Sequence, residues 1–150
     1  MDLNLLKFRQ IEFDSPQYWE AVKLRSKVLR EPLNMRFTDE QLQAEQPHIH
    51  LVAYLAGRLV SCLYLIKENH TARLKQFVVD PELQGHGIGK RMMQLMESYC
   101  LQHKMSYIFM HAREYAVPFY EKMGYERYDE KFLEIGLPHW KLRKWLIENE

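Results

Sequence analysis

Cysteine is scarce in this chain: two residues in 150, Cys62 in an apolar strand-like run and Cys100 in a helix-like run. That is too few for a disulfide framework or a cysteine metal cage, so both read as reduced packing residues. A charge of one sign is missing as well, with 21 Lys and Arg against 20 Asp and Glu and a net charge of +1. No field follows that would hold nucleic acid or an anionic membrane, so any anion site must be local. Long apolar runs are absent, none nearing the roughly 18 residues that a membrane span needs. The start, Met1-Asp2-Leu3-Asn4, lacks a basic region followed by an apolar stretch, and a cytoplasmic location is expected. Repeats, low-complexity tracts and linkers are missing too, so residues 1–150 read as one domain. His48 and His50 stand two apart without a convincingly spaced third ligand, and no metal is expected.

What is present is patterned apolar sequence. Leu5 to Phe13 alternates as an edge strand does, and Ser15-Pro16 then supplies an N-cap and a first-turn proline. Tyr18, Val22 and Leu29 fall on one helical face, which Arg25 and Ser26 interrupt. Thr38 with Gln41 three residues on is a capping box, predicting a short helix over 39–45. Alternating runs on either side of Gly57-Arg58 read as a β-hairpin, and a third strand is expected from about Ala72 to Val79. After a loop, Ile88, Met92, Leu95, Met96 and Tyr99 recur at three- and four-residue steps. A short strand at 107–110, a helix at 116–123 stopped by Gly124, and two closing strands within 125–146 complete a mixed α/β chain.

The loop between the third strand and the long helix carries chemistry. Gly85, Gly87 and Gly89 alternate there, and glycine lets successive backbone N–H groups turn into one concavity at the positive end of a helix dipole. Such a concavity suits a pyrophosphate, and an anion would offset the unfavourable placement of Lys90 and Arg91 at a helix start. A plain glycine-rich connector is the other reading of the loop alone. The third glycine is misplaced for a dinucleotide-binding Gly-x-Gly-x-x-Gly loop, and the spacing of a nucleoside triphosphate loop is absent.

Two stretches together resemble the GNAT superfamily of N-acetyltransferases. Val78-Val79-Asp80-Pro81-Glu82-Leu83-Gln84-Gly85-His86-Gly87-Ile88-Gly89-Lys90 is similar to its Gln/Arg-x-x-Gly-x-Gly/Ala signature, met by Gln84, Gly87 and Gly89. Downstream, Ala116 to Tyr125 resembles the superfamily's helix ending in Tyr-Glu-Lys-x-Gly-Phe/Tyr. The resemblance implies a GNAT-like single domain of α/β (mixed α+β) class, with a mostly antiparallel, splayed central sheet and about four helices. It implies acetyl-CoA as cosubstrate, with the pyrophosphate on the loop from Gln84 through Gly85, His86, Gly87, Ile88 and Gly89 to Lys90. The pantetheine arm would lie beside Val78 and Val79. Many relatives have Asn where Arg113 stands; that Asn contacts the pantetheine arm, whereas Arg113 would reach a phosphate or an acidic acceptor.

Acetyl transfer to an amine requires a neutral nitrogen, a stabilised oxyanion and a proton for the departing thiolate. By the resemblance, the Val79 N–H polarises the thioester carbonyl through a tetrahedral intermediate, and Tyr120 is the expected general acid. Its alternative reading is a core aromatic, which is also how Phe119 reads. For the base the candidates are Glu45, His48, His111, Glu134 and His139, and for the acceptor pocket Glu45, His111 and His139; His111 follows the strand expected to line the cleft. The segment from Phe132 to His139 resembles a tail of some small bacterial GNAT proteins, which would put His139 in the acceptor pocket. The acceptor is a small-molecule or protein amine, a homodimer is left open, and a noncatalytic acyl-CoA-binding regulatory module or a plain interaction domain are the alternative functions.

Overall fold

The structure, a computed structural model, describes residues 1–146. The opening strand β1 (Lys7–Ile11) is followed by helix α1 (Pro16–Leu29), whose Ser15 cap accepts a hydrogen bond from the Tyr18 N–H at 3.2 Å. Helix α2 (Asp39–Gln43) begins on the capping box: the Thr38 hydroxyl accepts from the Gln41 N–H, and the Gln41 side chain accepts from the Thr38 N–H. It is shorter than its pattern suggested, because the chain tightens into successive turns through Glu45 to His48.

Strands β2 (Ile49–Leu55) and β3 (Arg58–Glu68) form the expected hairpin around Ala56-Gly57, both with positive φ, as a two-residue turn matching strand twist demands. Strand β4 (Thr71–Val79), helix α3 (Ile88–Gln102), strand β5 (Tyr107–Arg113), helix α4 (Val117–Glu121), and strands β6 (Glu126–Glu134) and β7 (Leu137–Trp145) follow. Among the described residues the fold is thus a mixed α/β one, with four α-helices and a seven-stranded sheet in the order β1-β2-β3-β4-β5-β7-β6. Pairing is antiparallel for β1–β2, β2–β3, β5–β7 and β6–β7, and parallel for β4–β5.

The chain divides into two compact units, one of residues 1–65 and 76–96, the other of 66–75 and from Glu97 onward. In the first, Ala21 and Leu24 of α1 pack with Val52, Leu59, Cys62 and Val78. The second buries Ala72, Cys100, Met105, Ile108, Met110, Ala112, Val117, Tyr120, Tyr125 and Leu142. Both cysteines are buried, and burial pushes each thiol up to about 12, which suits packing and not nucleophilic attack. Among the described residues no helix is long and apolar enough to cross a membrane.

Candidate active site

The glycine loop is built from its flanks. Asp80, at the end of β4, donates its N–H to the Val60 carbonyl at 2.8 Å and accepts the Glu82 N–H at 3.0 Å, starting a 3-10 turn over Pro81–Leu83. Arg58 bonds both Asp80 and Glu82. Burial works to raise the Asp80 carboxyl, but these donors outweigh it and hold Asp80 below its ordinary value. Gly85 and Gly87 both sit at φ +84°, a conformation that costs an L side chain about 1–2 kcal/mol. The Gly87 carbonyl accepts from the Arg91 N–H at 3.0 Å, so the backbone of Gly87 opens α3. Gly89 lies inside the first turn. By helix geometry the N–H groups of Ile88, Gly89 and Lys90 lie ahead of the first intrahelical bond and have no carbonyl of the helix to bind. Side-chain-free turns next to donors of that kind fit a pyrophosphate.

Arg113 closes β5, opposite His139 of β7. A 3-10 turn over Glu114–Ala116 leads into α4, with Pro118 in its first turn. The helix is five residues long, shorter than the 116–123 pattern, because turns at Tyr120 and Glu121 close it: the N–H groups of Met123 and Tyr125 both donate to the Tyr120 carbonyl, and Gly124 follows at φ +93°. Tyr120 is 8% exposed and makes edge contacts with Phe119 and Tyr125, at centroid separations of 5.2 and 6.0 Å. Burial raises its phenol above the ordinary range, keeping the proton on oxygen.

Three of the candidates for the base meet in the second unit. The Nδ1 of His111 lies 3.0 Å from Glu134 Oε1, and the Nε2 of His139 lies 3.5 Å from Glu134 Oε2. His139 Nδ1 donates to the Leu137 carbonyl at 2.9 Å, and Phe132 packs edge-on against the His111 ring. Burial lowers the His111 imidazole below the ordinary 6.5 despite the hydrogen bond to Glu134. For Glu134 burial works upward, but His111, His139 and Lys75 prevail and hold it below the ordinary 4.5.

Glu45 belongs to a different constellation, in the first unit. Its Oε1 accepts from the Tyr18 hydroxyl at 2.9 Å and from Arg25 Nη1 at 2.8 Å, and its Oε2 from Arg25 Nη2 at 2.6 Å. Arg25 and Glu45 are 2% and 3% exposed. The Glu45 carbonyl holds the His50 Nε2 at 2.9 Å, and His48 stacks on Tyr64. The candidate residues therefore fall into two groups, each within one unit: Glu45 and the stretch from Val78 to Lys90, and His111, Arg113, Tyr120, Glu134 and His139.

The family model described as an acetyltransferase (GNAT) domain matches residues 20–146. The chain belongs to this family. It is an acyltransferase domain, in keeping with a putative acetyltransferase of Bacillus subtilis that is 26% identical over 122 residues, 79% of this chain and 83% of its own. A UPF0039 protein of Schizosaccharomyces pombe is 34% identical over 90 residues, covering 58% of this chain and 60% of its own length. The uncharacterized N-acetyltransferase YjcF of Bacillus subtilis is 27% identical over 129 residues, 85% of this chain and 92% of its own. The crystal structure of an aminoglycoside 6'-N-acetyltransferase complexed with coenzyme A shares the fold, with a TM-score of 0.76 and 15% identity over 96% of this chain and 99% of that one.

Some polar residues of this GNAT domain escape a reading by motif. Arg25 looked like a break in an apolar helix face and is instead the buried partner of Glu45. Gln76, mid-strand in β4, has φ +54° and accepts from Arg25 Nε at 3.1 Å. Arg73 Nη2 stands 3.2 Å from His111 Nδ1, while its buried Nε has no hydrogen-bond partner among the described residues. No local pattern marks Gln76 or Arg73; Arg25 could have been noticed as a charge set on an otherwise apolar stripe.

Proposed function

We propose that this GNAT domain moves the acetyl group of acetyl-CoA to a primary amine by direct attack of the amine nitrogen on the thioester through a tetrahedral intermediate. The observation that carries the reading is Tyr120, a buried phenol whose raised pKa keeps it protonated, at the end of a helix bearing the family motif. A hydroxyl of this kind gives its proton to the departing thiolate and, being buried, is shielded from competing water. The Gly85–Lys90 turn would hold the pyrophosphate, with Gln84 and His86 beside it. Val78 and Val79 would flank the pantetheine arm, and the Val79 N–H would polarise the thioester carbonyl. Arg113 would reach a phosphate or an acidic acceptor. His111 and His139 would belong to the acceptor side. Glu45, the other acceptor-pocket candidate, has both oxygens held by Arg25 and Tyr18 within the first unit.

Thiol release from acetyl-CoA across a panel of small amines and peptide N termini tests this, with Tyr120→Phe beside the parent chain. Tyr120→Phe should cut kcat by about 10²-fold or more while leaving acetyl-CoA affinity close to the parent's. Tight acetyl-CoA binding without turnover on any amine would favour a noncatalytic acyl-CoA-binding module instead.

A further inference from the structure

The geometry around His111 points to this residue as the base that takes the proton of the acceptor amine, with Glu134 as the positioning residue that holds its tautomer. The inference rests on the N-acetyltransferase reading and supplies what that reading leaves open, the destination of the amine's proton. Every residue in it belongs to the second unit.

The tautomer follows from what each neighbour can do. Nδ1 of His111 has two polar neighbours, Glu134 Oε1 at 3.0 Å and Arg73 Nη2 at 3.2 Å. A carboxylate only accepts and a guanidinium only donates, so Nδ1 serves one of them at a time. A proton on Nδ1 makes a charge-assisted bond to Glu134; its absence would set a lone pair against a carboxylate. The Nδ1–H form therefore prevails, leaving the Arg73 contact unmade, in keeping with a buried Nε on Arg73 that also lacks a hydrogen-bond partner among the described residues. The lone pair of the neutral ring is then on Nε2, which has no hydrogen bond among the described residues. The His111 side chain is 22% exposed, so a ligand can reach it.

Charges converge on this ring from every packed element: Glu134 from β6, Arg73 from β4 and Lys141 from β7. Glu134 in turn faces His139 of β7 and Lys75 of β4. Burial and the two cations disfavour a charged His111, so it rests neutral at pH 7; Glu134 offsets them once a proton arrives. His139 braces the far carboxylate oxygen, with its own Nδ1 committed to the Leu137 carbonyl.

The step balances. One N–H bond of the alkylammonium breaks and its proton goes to Nε2, giving an imidazolium paired with Glu134. The freed lone pair forms the C–N bond, the C–S bond breaks, and the thiolate leaves with the Tyr120 proton. The second proton lost by nitrogen restores the phenol, and the imidazolium proton passes to water.

Two measurements test the assignment. Imidazole nitrogen NMR on the full chain without any acceptor should show His111 neutral and protonated on Nδ1 at pH 7, with Glu134→Gln shifting the balance toward Nε2–H. In thiol-release assays, His111→Gln should slow aliphatic amines, which start as ammonium ions, by about 10²-fold or more. Aromatic amines, already neutral at pH 7, should lose much less. An imidazolium or an Nε2–H tautomer in the parent chain overturns the base assignment alone, as does an equal loss on both amine classes. A parent chain that turns over no amine overturns the acetyltransfer reading and the base with it.

Discussion

A guanidinium withdrawn from water needs a charge partner inside the protein, and Arg25 meets both oxygens of Glu45 while lying over the rings of Phe37 and Tyr64 at 5.0 and 5.3 Å. Burial alone would lower the arginine's pKa, yet Glu45 raises it above its ordinary value, so Arg25 stays charged. Desolvating two charges offsets most of their attraction, so the pair adds little net stability while each partner depends heavily on the other. Arg25→Met should therefore cost about 3–5 kcal/mol by stranding Glu45. Arg25→Met with Glu45→Met should recover most of that loss, because no buried charge remains. Urea unfolding of Arg25→Met and the double variant beside the parent measures this; equal losses in the two would show that Glu45 finds water when Arg25 is gone.

At the scale of elements, the start of α3 joins a backbone requirement to the proposed phosphate site. A Cβ on Gly87 would meet only Leu3 Cδ1, at an ordinary 3.4 Å, so its demand for glycine comes from φ +84° and not from crowding. Gly87→Ala should lower stability by about 1–2 kcal/mol, read by thermal unfolding. Gly87→Asp adds a negative charge beside the expected pyrophosphate and should weaken acetyl-CoA binding in calorimetry well beyond Gly87→Ala. Equal affinities in the two variants would move the phosphate site away from this loop. Such local features were legible beforehand because their chemistry is short-range: Ser15 before Pro16, Thr38 with Gln41, a hairpin broken near Gly57, though its turn falls one residue before the expected Gly57-Arg58, and the spacing that brings Ile88, Met92 and Met96 inside. The Arg25–Glu45 pair joins residues 20 apart, and the contact of His111 with Glu134 spans 23. Only folding sets those distances, so both glutamates and the histidine could be nominated from their types while their partners could not. Helix α4 ended early for a similar reason, since its length is decided by the turn that Tyr120 and Gly124 share.

For the molecule as a whole, the same buried groups set how stability varies with pH. His50 and His111 both lie below the ordinary 6.5, each first through burial. Glu134 lies below 4.5 and Asp80 below 3.8, where hydrogen bonds and nearby cations overcome burial. In all four cases the unfolded chain takes up a proton at a higher pH than the folded one does, so stability is full above the unfolded value and falls as the pH drops through the folded value. The decline should begin near pH 6.5 with the histidines and steepen below 4.5 with the carboxylates. Cys62 and Cys100 act in the opposite sense: held up to about 12 against an ordinary 9.0, they favour the fold until the pH passes 9, where the unfolded chain begins to lose those protons first. Urea midpoints across this range should therefore form a plateau between about 6.5 and 9, falling on both sides, with the slope of free energy against urea unchanged. His50→Gln combined with His111→Gln should remove the first step of the acid decline and leave the carboxylate step in place. A parent midpoint that stays level from pH 8 to 5 would mean that both imidazoles charge as freely in the fold as in water, and that the burial of His50 and His111 does not govern their protonation.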